Sequence, residues 1–404
     1  MNKEETYEIR AGWLSNEKIG DLFVGSGNRQ DILAFAYDDN WLDQHSKLVL
    51  DLNLYPFSGR QFCNNGLFSF LQDASPDRWG RTLLKYKEQD NAKKESRNPK
   101  ELTDVDYLLG VSDQVRIGGI RIFHNGEYVS QSTVTIPPIT SLRALQDVSI
   151  QFEKAGTILQ VTELAPLVTG GSSLGGARPK VTVVDEEEHL WIAKFESDRD
   201  KNTTEAWEFV AHELGKQCGL TMAEGEIEFL GGRTAYLTKR FDRVGKKRVH
   251  FASAMTMLNK QDGDDASFLD IAECISTISA NPKADLLELW KRIAFSIAVN
   301  NTDCHLRNHG FILTENGWRL SPAYDITPNP FDSYMALSIN ESNKSPDYQL
   351  LIDTAPYYGV ETPKEIIEDI RIVVADNYKK WAGLAKIPRR EITKMSRIFE
   401  RRLS

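Results

Sequence analysis

The side chains with the clearest chemical potential lie in two neighbouring stretches, NTDCHLRN at residues 301–308 and LSPAYDITP at residues 320–328. Between their apolar runs, Asp303, Asn308 and Asp325 supply carboxylate and amide oxygens. Phosphoryl transfer requires a carboxylate that orients an attacking hydroxyl, and it requires oxygen ligands that hold Mg²⁺ against the phosphates. The three residues could fill those roles, so the pattern predicts a phosphotransfer site.

The spacing of these residues adds to that prediction. Asp-x-x-x-x-Asn matches the catalytic loop of protein kinases, and a second Asp after a hairpin is the expected position of the other metal ligand. Residues 311–313 and 318–320, joined through Asn316-Gly317, predict that hairpin. An isolated Asp-x-x-x-x-Asn is more often a helix cap or a turn, and that alternative stays open for Asp303.

Two histidines in the same stretch, His305 and His309, have the i, i+4 spacing of zinc ligands. No glutamate stands beside His305 in the manner of the HExxH motif. The sequence therefore favours packed or hydrogen-bonded histidines over a zinc site.

A candidate for binding nucleotide phosphates is Lys194, at the end of a predicted strand over residues 190–195. A carboxylate on the following helix would hold its ammonium in place, and Glu208 is the first candidate, with Glu205 second. The alternative is a lysine at a strand end whose stem is buried and whose charge reaches water.

Upstream, residues 169–180 (TGGSSLGGARPK) contain four glycines, among them Gly175 and Gly176, and end at Lys180. Such a stretch lets backbone N–H groups approach a phosphate closely, although a plain flexible connection has the same composition. Further on, KRFDR at residues 239–243 could pass adenine between two lobes with Phe241 against the base. A surface ion-pair cluster around Asp242 is the alternative.

The elements that must position these groups change character along the chain. Alternating apolar stretches predict a β-rich first part, and a helix is expected to open at Ser75-Pro76-Asp77. A hairpin is predicted over 181–195, and helices over 204–218, near 284–300 and over 363–384, the last with a capping box from Thr362 to Glu365. The chain is predicted to form three domains, over residues 1–138, 139–248 with the glycine-rich loop, and 249–404.

Composition limits the class of protein. The chain has 404 residues, of which 41% are hydrophobic and 26% charged, with a net charge of -9. These values are typical of a soluble globular protein and argue against a surface that binds nucleic acid throughout. Four scattered cysteines and the lack of a long apolar run favour a cytoplasmic protein that does not associate with membranes.

Taken together, the motifs resemble the HipA-type serine/threonine kinases, the toxin components of bacterial toxin-antitoxin pairs. The resemblance covers almost the whole chain, and the matching motifs are SPDRWGR (75–81), RIGGIR (116–121), SLGGARPK (173–180), WIAK (191–194), KRFDR (239–243), NTDCHLRN (301–308) and YD (324–325). It implies an α+β, two-lobed protein-kinase-like fold with a β-rich N-terminal part and an all-helical C-terminal lobe. Cys304 departs from the commoner pattern, because glycine is frequent at that position.

The resemblance also implies roles. Asp303 is similar to the catalytic aspartate, Asn308 and Asp325 to the magnesium ligands, and Lys194 to the lysine that binds the nucleotide phosphates. The remaining nucleotide-binding candidates are Glu208, Phe241, His305, Gly175, Gly176 and Lys180. Ser173 is similar to the serine whose autophosphorylation inactivates these kinases, with Ser172 as the alternative, and a phosphate there would be repelled by the carboxylates of the site.

The expected function is therefore that of an ATP- and Mg²⁺-dependent serine/threonine kinase that acts on a cellular protein, of which an aminoacyl-tRNA synthetase is one example. The expected partners are an antitoxin of the HipB type, with a helix-turn-helix, and operator DNA through that antitoxin. A basic C-terminal series from Lys379 to Arg402 could touch DNA, and a solvated helix face is the alternative. A small-molecule kinase and a catalytically silent co-repressor remain rival functions.

Overall fold

A computed structural model describes residues 4–27, 31–63, 66–130, 135–155, 161–171, 176, 178–198, 200 and 202–403. The helices, in chain order, are α1 (Asp39–His45), α2 (Ser69–Gln72), α3 (Arg78–Lys94), α4 (Asp104–Gly110), α5 (Leu142–Ala155), α6 (Val161–Gly171), α7 (Thr204–Gln217), α8 (Ala254–Met257), α9 (Phe268–Ile278), α10 (Pro282–Ala298), α11 (Tyr348–Thr354), α12 (Pro363–Leu384) and α13 (Arg389–Leu403). Short 3-10 helices lie at Ile139–Ser141, Leu306–Asn308 and Ala355–Tyr358.

The strands are β1 (Glu5–Ala11), β2 (Glu17–Ser26), β3 (Asp31–Tyr37), β4 (Gln61–Phe62), β5 (Ile120–His124), β6 (Glu127–Tyr128), β7 (Lys180–Val184), β8 (Leu190–Phe195), β9 (Gly225–Leu230), β10 (Arg233–Lys239), β11 (Arg243–Val244), β12 (Lys247–Arg248), β13 (Phe251–Ser253), β14 (Gly310–Thr314) and β15 (Gly317–Leu320). The chain divides into two compact units. The first contains Met1–Asp198 and Asp242–Ala252, and the second contains Arg199–Phe241 and Ser253–Ser404.

The first unit is built on an antiparallel sheet with the strand order β4-β3-β2-β1-β5-β6. Side chains alternate across each strand, and on β1 Tyr7, Ile9 and Ala11 point into the core. They pack with apolar residues of the neighbouring strands and of α1, α2 and α4. A β-rich N-terminal part is thus confirmed.

The segment Asp242–Ala252 belongs to the first unit although the residues on either side of it in the chain belong to the second. The carboxylate of Asp242 accepts a hydrogen bond of 2.8 Å from the Gly118 N–H, and His250 stacks on Trp13 with ring centroids 4.3 Å apart. Asp242 is only 4% exposed. Asp242 does form an ion pair, with Arg243 Nη1 at 2.8 Å, but both side chains are buried, so the pair does not lie at the surface as the alternative of a surface ion-pair cluster had it.

A buried arginine braces the same part of the first unit. Arg116 is fully buried, and its guanidinium donates to the backbone carbonyls of Ala74, Leu108 and Val111. Burial lowers the pKa of Arg116 to about 10, so the guanidinium keeps its charge at neutral pH. The RIGGIR motif, to which Arg116 and Gly118 belong, thus has a structural use.

The second unit is mainly helical. Its core contains the fully buried side chains of Trp207 on α7, Trp290 and Phe295 on α10, and Phe399 on α13. The hairpins β9–β10 and β14–β15 also belong to this unit. Because β14–β15 lies within the C-terminal part, that part is not helical throughout.

Most local predictions are confirmed. The hairpins β7–β8 and β14–β15 and the helices α7, α10 and α12 lie where the sequence predicts them, and Gly219 ends α7 with φ +72°. Together with the helices, these hairpins confirm the α+β class. The three-domain division of the chain stays a prediction.

Three details of the helix ends differ from the predictions. Helix α3 begins at Arg78, with Asp77 rather than Ser75 at its N-cap position. The capping box at Thr362 is wrong, because Thr362 makes no side-chain capping bond and Pro363 starts the helix. Gly170 and Gly171 end α6 instead of belonging to a loop.

Candidate functional site

The stretch that carries Asp303 begins where α10 ends. The N–H of Asn300 donates to the Ile297 carbonyl at 3.1 Å, and the N–H of Asn301 donates to the Ser296 carbonyl at 2.8 Å. This is the bonding of a Schellman motif, which needs a left-handed residue after the helix, and Asn300 has φ +52°. The helix end therefore sets the direction in which residues 301–308 leave α10.

The side chain of Asn300 joins three elements. Its Oδ1 accepts from Arg402 Nε of α13 at 2.8 Å, and its Nδ2 donates to the carbonyls of Asn329 and Asp332. The backbone carbonyl of Asn300 also accepts from the Asn329 N–H at 3.0 Å. Asn300 thus links α10, α13 and the segment that follows Asp325, so the two site-bearing stretches are held to each other.

Asp303 and Asn308 lie at the two ends of a short turn. Asn308 Nδ2 donates to the Asp303 carbonyl at 2.7 Å, and the 3-10 helix Leu306–Asn308 closes the turn. This bond leaves the amide oxygen of Asn308 for another partner. The Asp303 side chain is 72% exposed, with its Oδ1 at 3.9 Å from His305 Nε2, so a hydroxyl can reach it from solvent.

Asp325 is held by the contacts of the two residues that precede it in the chain. Ala323 exchanges backbone hydrogen bonds with the residues after α7, to Thr221 at 2.7 Å and from Ala223 at 2.9 Å, and the Tyr324 hydroxyl donates to the Arg307 carbonyl at 2.7 Å. Asp325 itself has φ +57°, a left-handed conformation that costs free energy in a residue with a side chain. These contacts hold the strained residue in place.

Asn308 and Asp325 line one pocket. Its other lining residues include Arg292, Cys304, His309 and Tyr324. The two candidate metal ligands, which lie on different loops, therefore converge as the sequence predicts. Among the described residues, Asp303 does not line the pocket. Its backbone carbonyl accepts a hydrogen bond from Asn308, which does line it.

Two buried groups of the pocket wall, Cys304 and His309, are uncharged at neutral pH. Burial raises the pKa of the Cys304 thiol to about 11 and lowers the pKa of His309 to about 3. Within the described ranges, no cluster of three or more His, Cys, Asp or Glu side chains is arranged to hold a metal ion. His309 instead packs edge-on against Phe268, as the packed-histidine prediction has it.

Two further nucleotide candidates lie in the second unit near this pocket. Phe241 packs on Tyr324 with ring centroids 5.6 Å apart, which places an aromatic face next to the Asp325 segment. Glu208 is buried on α7, and both it and Asp325 act on Tyr236. Burial above all, and then the charges of Glu208, Glu213 and Asp325, raise the pKa of Tyr236 well above its ordinary value.

The lysines belong to the first unit. Lys180 and Lys194 are register partners across the β7–β8 hairpin, and they are only 7% and 9% exposed. Register partners on a hairpin project from the same face, so Lys180 and Lys194 lie side by side.

Of the glycine-rich stretch, Gly176 is described, and a Cβ built on it would lie 2.9 Å from Lys180 Nζ. Ser172, Ser173 and Gly175 lie outside the described residues. Gly170 must lack a side chain, because a Cβ there would lie 2.6 Å from Val181 and 2.7 Å from the Thr182 carbonyl.

Three residues that shape the site were not predicted from the sequence: Asn300, Arg292 and Arg402. Arg292 donates to Ser321 and Glu288, and so ties α10 to the end of β15, while Arg402 reaches Asn300 from the far end of the chain. An Asn directly after a helix is a signal for a left-handed cap, and it could have singled out Asn300. Neither arginine has a local signal.

Comparison with known families decides the identity of the chain. The profile of the HipA-like C-terminal domain matches residues 172–378, and that of the HipA N-terminal domain matches residues 12–102. The chain belongs to the HipA family. Among the described residues of this HipA-family protein, no helix is both long and apolar enough to cross a membrane.

Relatives with curated names include a protein of Sinorhizobium fredii called "Putative kinase Y4mE". It is 26% identical over 350 residues, which are 80% of this chain and 77% of the relative. The "Serine/threonine-protein kinase toxin HipA" of Shewanella oneidensis is 26% identical over 160 residues, which are 33% of this chain and 37% of that protein.

A solved structure supports the fold over the whole length. HipA of the Shewanella oneidensis toxin-antitoxin system, determined in complex with HipB and operator DNA, superposes with a TM-score of 0.71 at 18% identity. The match covers 98% of this chain and 96% of that chain. This HipA-family protein therefore has the α+β, kinase-like HipA fold.

Proposed function

We propose that this HipA-family protein is an ATP- and Mg²⁺-dependent serine/threonine kinase of the HipA toxin type. One observation carries the proposal: Asn308 and Asp325, from two separate loops, line a common pocket, and Asn308 is bonded to Asp303. The kinase names of the relatives support it.

The donor set fits magnesium. Mg²⁺ is bound through one or two carboxylates and through substrate phosphates, and it prefers hard oxygen ligands. Asp325 supplies a carboxylate, and Asn308 supplies its amide oxygen because the Asp303 carbonyl engages its amide nitrogen. When bound, the ion would neutralise charge on the β- and γ-phosphates.

In this proposal Asp303 is the catalytic carboxylate. It accepts the proton of a serine hydroxyl as the hydroxyl oxygen bonds to the γ-phosphorus, and the bond between that phosphorus and the bridging oxygen breaks to release ADP. The exposure of the Asp303 side chain suits a protein substrate, which must bring its serine from solvent.

The remaining roles concern the nucleotide. Lys194 and Lys180 take the phosphates, with Glu208 as the carboxylate that orients Lys194, and Phe241 packs on the adenine. His305, beside Asp303, and the glycines Gly175 and Gly176 complete the set. The placement of Lys180 and Lys194 as register partners on one face of the β7–β8 hairpin supports their joint use.

We further propose that Ser173, or Ser172 beside it, is autophosphorylated and that the modification inactivates the enzyme. The physiological substrate would be a cytoplasmic protein, with an aminoacyl-tRNA synthetase as one candidate. An antitoxin of the HipB type would neutralise the kinase and carry it to operator DNA, by analogy with the Shewanella oneidensis complex.

The test is phosphate incorporation by the purified chain with labelled ATP and Mg²⁺. We expect phosphate on a serine of the peptide that contains residues 172–180, located by mass spectrometry, and its loss when Mg²⁺ is chelated. Asp303→Asn should lower the rate by about 10²- to 10⁴-fold, the usual contribution of a general base. Undiminished incorporation by this variant would remove Asp303 from its role.

A matched control is Asp376→Asn, which neutralises an exposed carboxylate on α12 and should leave the rate unchanged. The rivals give different results. A small-molecule kinase would consume ATP without labelling serine, and a silent co-repressor would do neither.

A further inference from the structure

The SPDRWGR motif at residues 75–81 has no part in the proposed chemistry, yet its central residues contact the glycine-rich stretch. Trp79, in the first turn of α3, is 4% exposed, and its ring packs edge-on against Phe152 of α5 at 5.8 Å. The indole is therefore held in one orientation within the first unit. Trp79 has two N–H donors, one on the indole ring and one on the backbone.

Three hydrogen bonds join the start of α3 to the stretch. The backbone N–H of Trp79 donates to the Gly176 carbonyl at 3.0 Å, and the Asp77 carboxylate accepts from the Gly176 N–H at 3.0 Å. The Trp79 indole N–H donates to the Lys180 carbonyl at 2.8 Å. Both backbone groups of Gly176 are thus bound by one short motif.

This use explains the unusual start of α3. The first N–H groups of a helix have no partner within the helix, and an Asp at the N-cap position normally satisfies one of them. Asp77 makes no such capping bond, and its carboxylate reaches Gly176 instead. The backbone N–H of Trp79 and the carboxylate of Asp77 therefore both bond to Gly176, which lies outside the helix.

The other end of the stretch rests on the same tryptophan. Gly171 ends α6, and a Cβ built on it would lie 3.1 Å from Trp79 Nε1 and 2.9 Å from the Lys180 carbonyl. A side chain at Gly171 would therefore crowd both partners of the hydrogen bond between the indole and Lys180. Gly171 and Gly176, which bracket residues 172–175, both contact Trp79.

We propose that Asp77 and Trp79 are positioning residues for the nucleotide: they form a seat that fixes Gly176 and Lys180 for phosphate binding. This rests on the proposed kinase function. The seat fixes the backbone of Gly176 and of Lys180, so that the lysine is in place before ATP arrives. The N-terminal domain thereby contributes to ATP affinity without touching ATP.

The first arm of the test is kinetic. Trp79→Phe keeps the aromatic packing and removes the indole donor, and Asp77→Ala removes the acceptor. Each should raise the KM for ATP about tenfold, the effect of one buried hydrogen bond, with kcat within about threefold of the unmodified protein. Asp77→Asn retains an acceptor oxygen and should restore the KM.

Trp381→Phe is the matched control. It also removes a buried indole donor, but that N–H has no hydrogen-bond partner among the described residues. The KM for ATP should not change. An equal effect in Trp79→Phe and Trp381→Phe, or an unchanged KM in both seat variants, would overturn the proposal.

The second arm does not depend on catalysis. Hydrogen exchange of a peptide that covers residues 176–184 should be faster in Trp79→Phe and Asp77→Ala than in Asp77→Asn. If the hydrogen exchange of this peptide is the same in Trp79→Phe and Asp77→Ala as in the unmodified protein, the proposal is overturned, whatever the KM values are. If the unmodified protein binds ATP but transfers no phosphate, the kinase function fails, and the Kd for ATP in the same variants still decides whether the seat exists.

Discussion

Asn300 offers the sharpest test of how the site is held together, because one side chain joins three elements at a backbone position that favours glycine. The perturbation is Asn300→Gly, which accommodates the φ of +52° and deletes the side chain that bonds Arg402, Asn329 and Asp332. The comparison is Asn300→Ala, which deletes the same bonds and keeps a Cβ at positive φ.

The magnitude follows from the bonds lost. The acceptor for the Arg402 guanidinium contributes about 1.5–3 kcal/mol, and each hydrogen bond from Asn300 Nδ2 to a backbone carbonyl contributes about 0.5–1.5 kcal/mol. Relief of left-handed strain returns about 1 kcal/mol, and the greater freedom of glycine in the unfolded chain costs a similar amount. The free energy of unfolding should therefore fall by about 2.5–6 kcal/mol in Asn300→Gly, and by a similar amount in Asn300→Ala, which neither relieves the strain nor gains the freedom of glycine.

The assay is urea unfolding followed by tryptophan fluorescence, with phosphate incorporation measured on the folded variants. Because Asn300 links the Asp303 stretch to the segment after Asp325, the rate should fall in Asn300→Gly under conditions where the variant is fully folded. Arg402→Met should be destabilising too, and the double variant should lose less than the sum of the two single changes.

A control with the same chemistry exists in the first unit. Asn125 has φ +50° and is exposed in the turn between β5 and β6, so Asn125→Gly should change the free energy of unfolding by less than about 1 kcal/mol. If Asn300→Gly is as mild as Asn125→Gly, or if Asn300 and Arg402 contribute additively, the reasoning about this junction is refuted.

Two further predictions concern the first unit. Burial lowers the pKa of His250 to about 3, so the unfolded chain binds a proton that the folded chain excludes, and stability is lost as the pH falls below about 6.5. His250→Phe, which can still stack on Trp13, should remove about 2 kcal/mol of the difference in unfolding free energy between pH 7.5 and pH 5, measured by urea titration; an unchanged difference would contradict a buried neutral imidazole. Arg116→Met should lower the free energy of unfolding by about 3–5 kcal/mol, because three carbonyls lose their donor inside the core, and a change below 1 kcal/mol would show that water or other groups replace it.

The local parts of the fold were predictable because their signals are local. The hairpin β14–β15 is indicated by Asn316-Gly317, and α7 ends at a glycine that takes a left-handed conformation. The prediction of a capping box at Thr362 was wrong although the required residue types are present. Pro363, whose φ is already helical, starts α12 without a side-chain capping bond from Thr362.

The placement of Asn308 and Asp325 at one pocket was predictable from the sequence, and the contacts that hold them there were not. The convergence of Asn308 and Asp325 follows from residue types and spacing that phosphotransfer requires. The bond from Arg402 to Asn300 joins residues 102 positions apart, and that from Gly176 to Asp77 joins residues 99 positions apart. Such contacts leave no periodic or neighbouring pattern, because only the folded topology brings their partners together.

The return of Asp242–Ala252 to the first unit has a consequence for any attempt to divide the gene. A fragment that stops at Asp198 would contain Gly118 and Trp13. It would lack the Asp242 carboxylate that bonds Gly118 and the His250 ring that stacks on Trp13. Added in trans, a synthetic peptide spanning 242–252 should rescue the solubility of such a fragment. A division of this chain is therefore expected to succeed only where Asp242–Ala252 stays covalently connected to the residues on both sides of it.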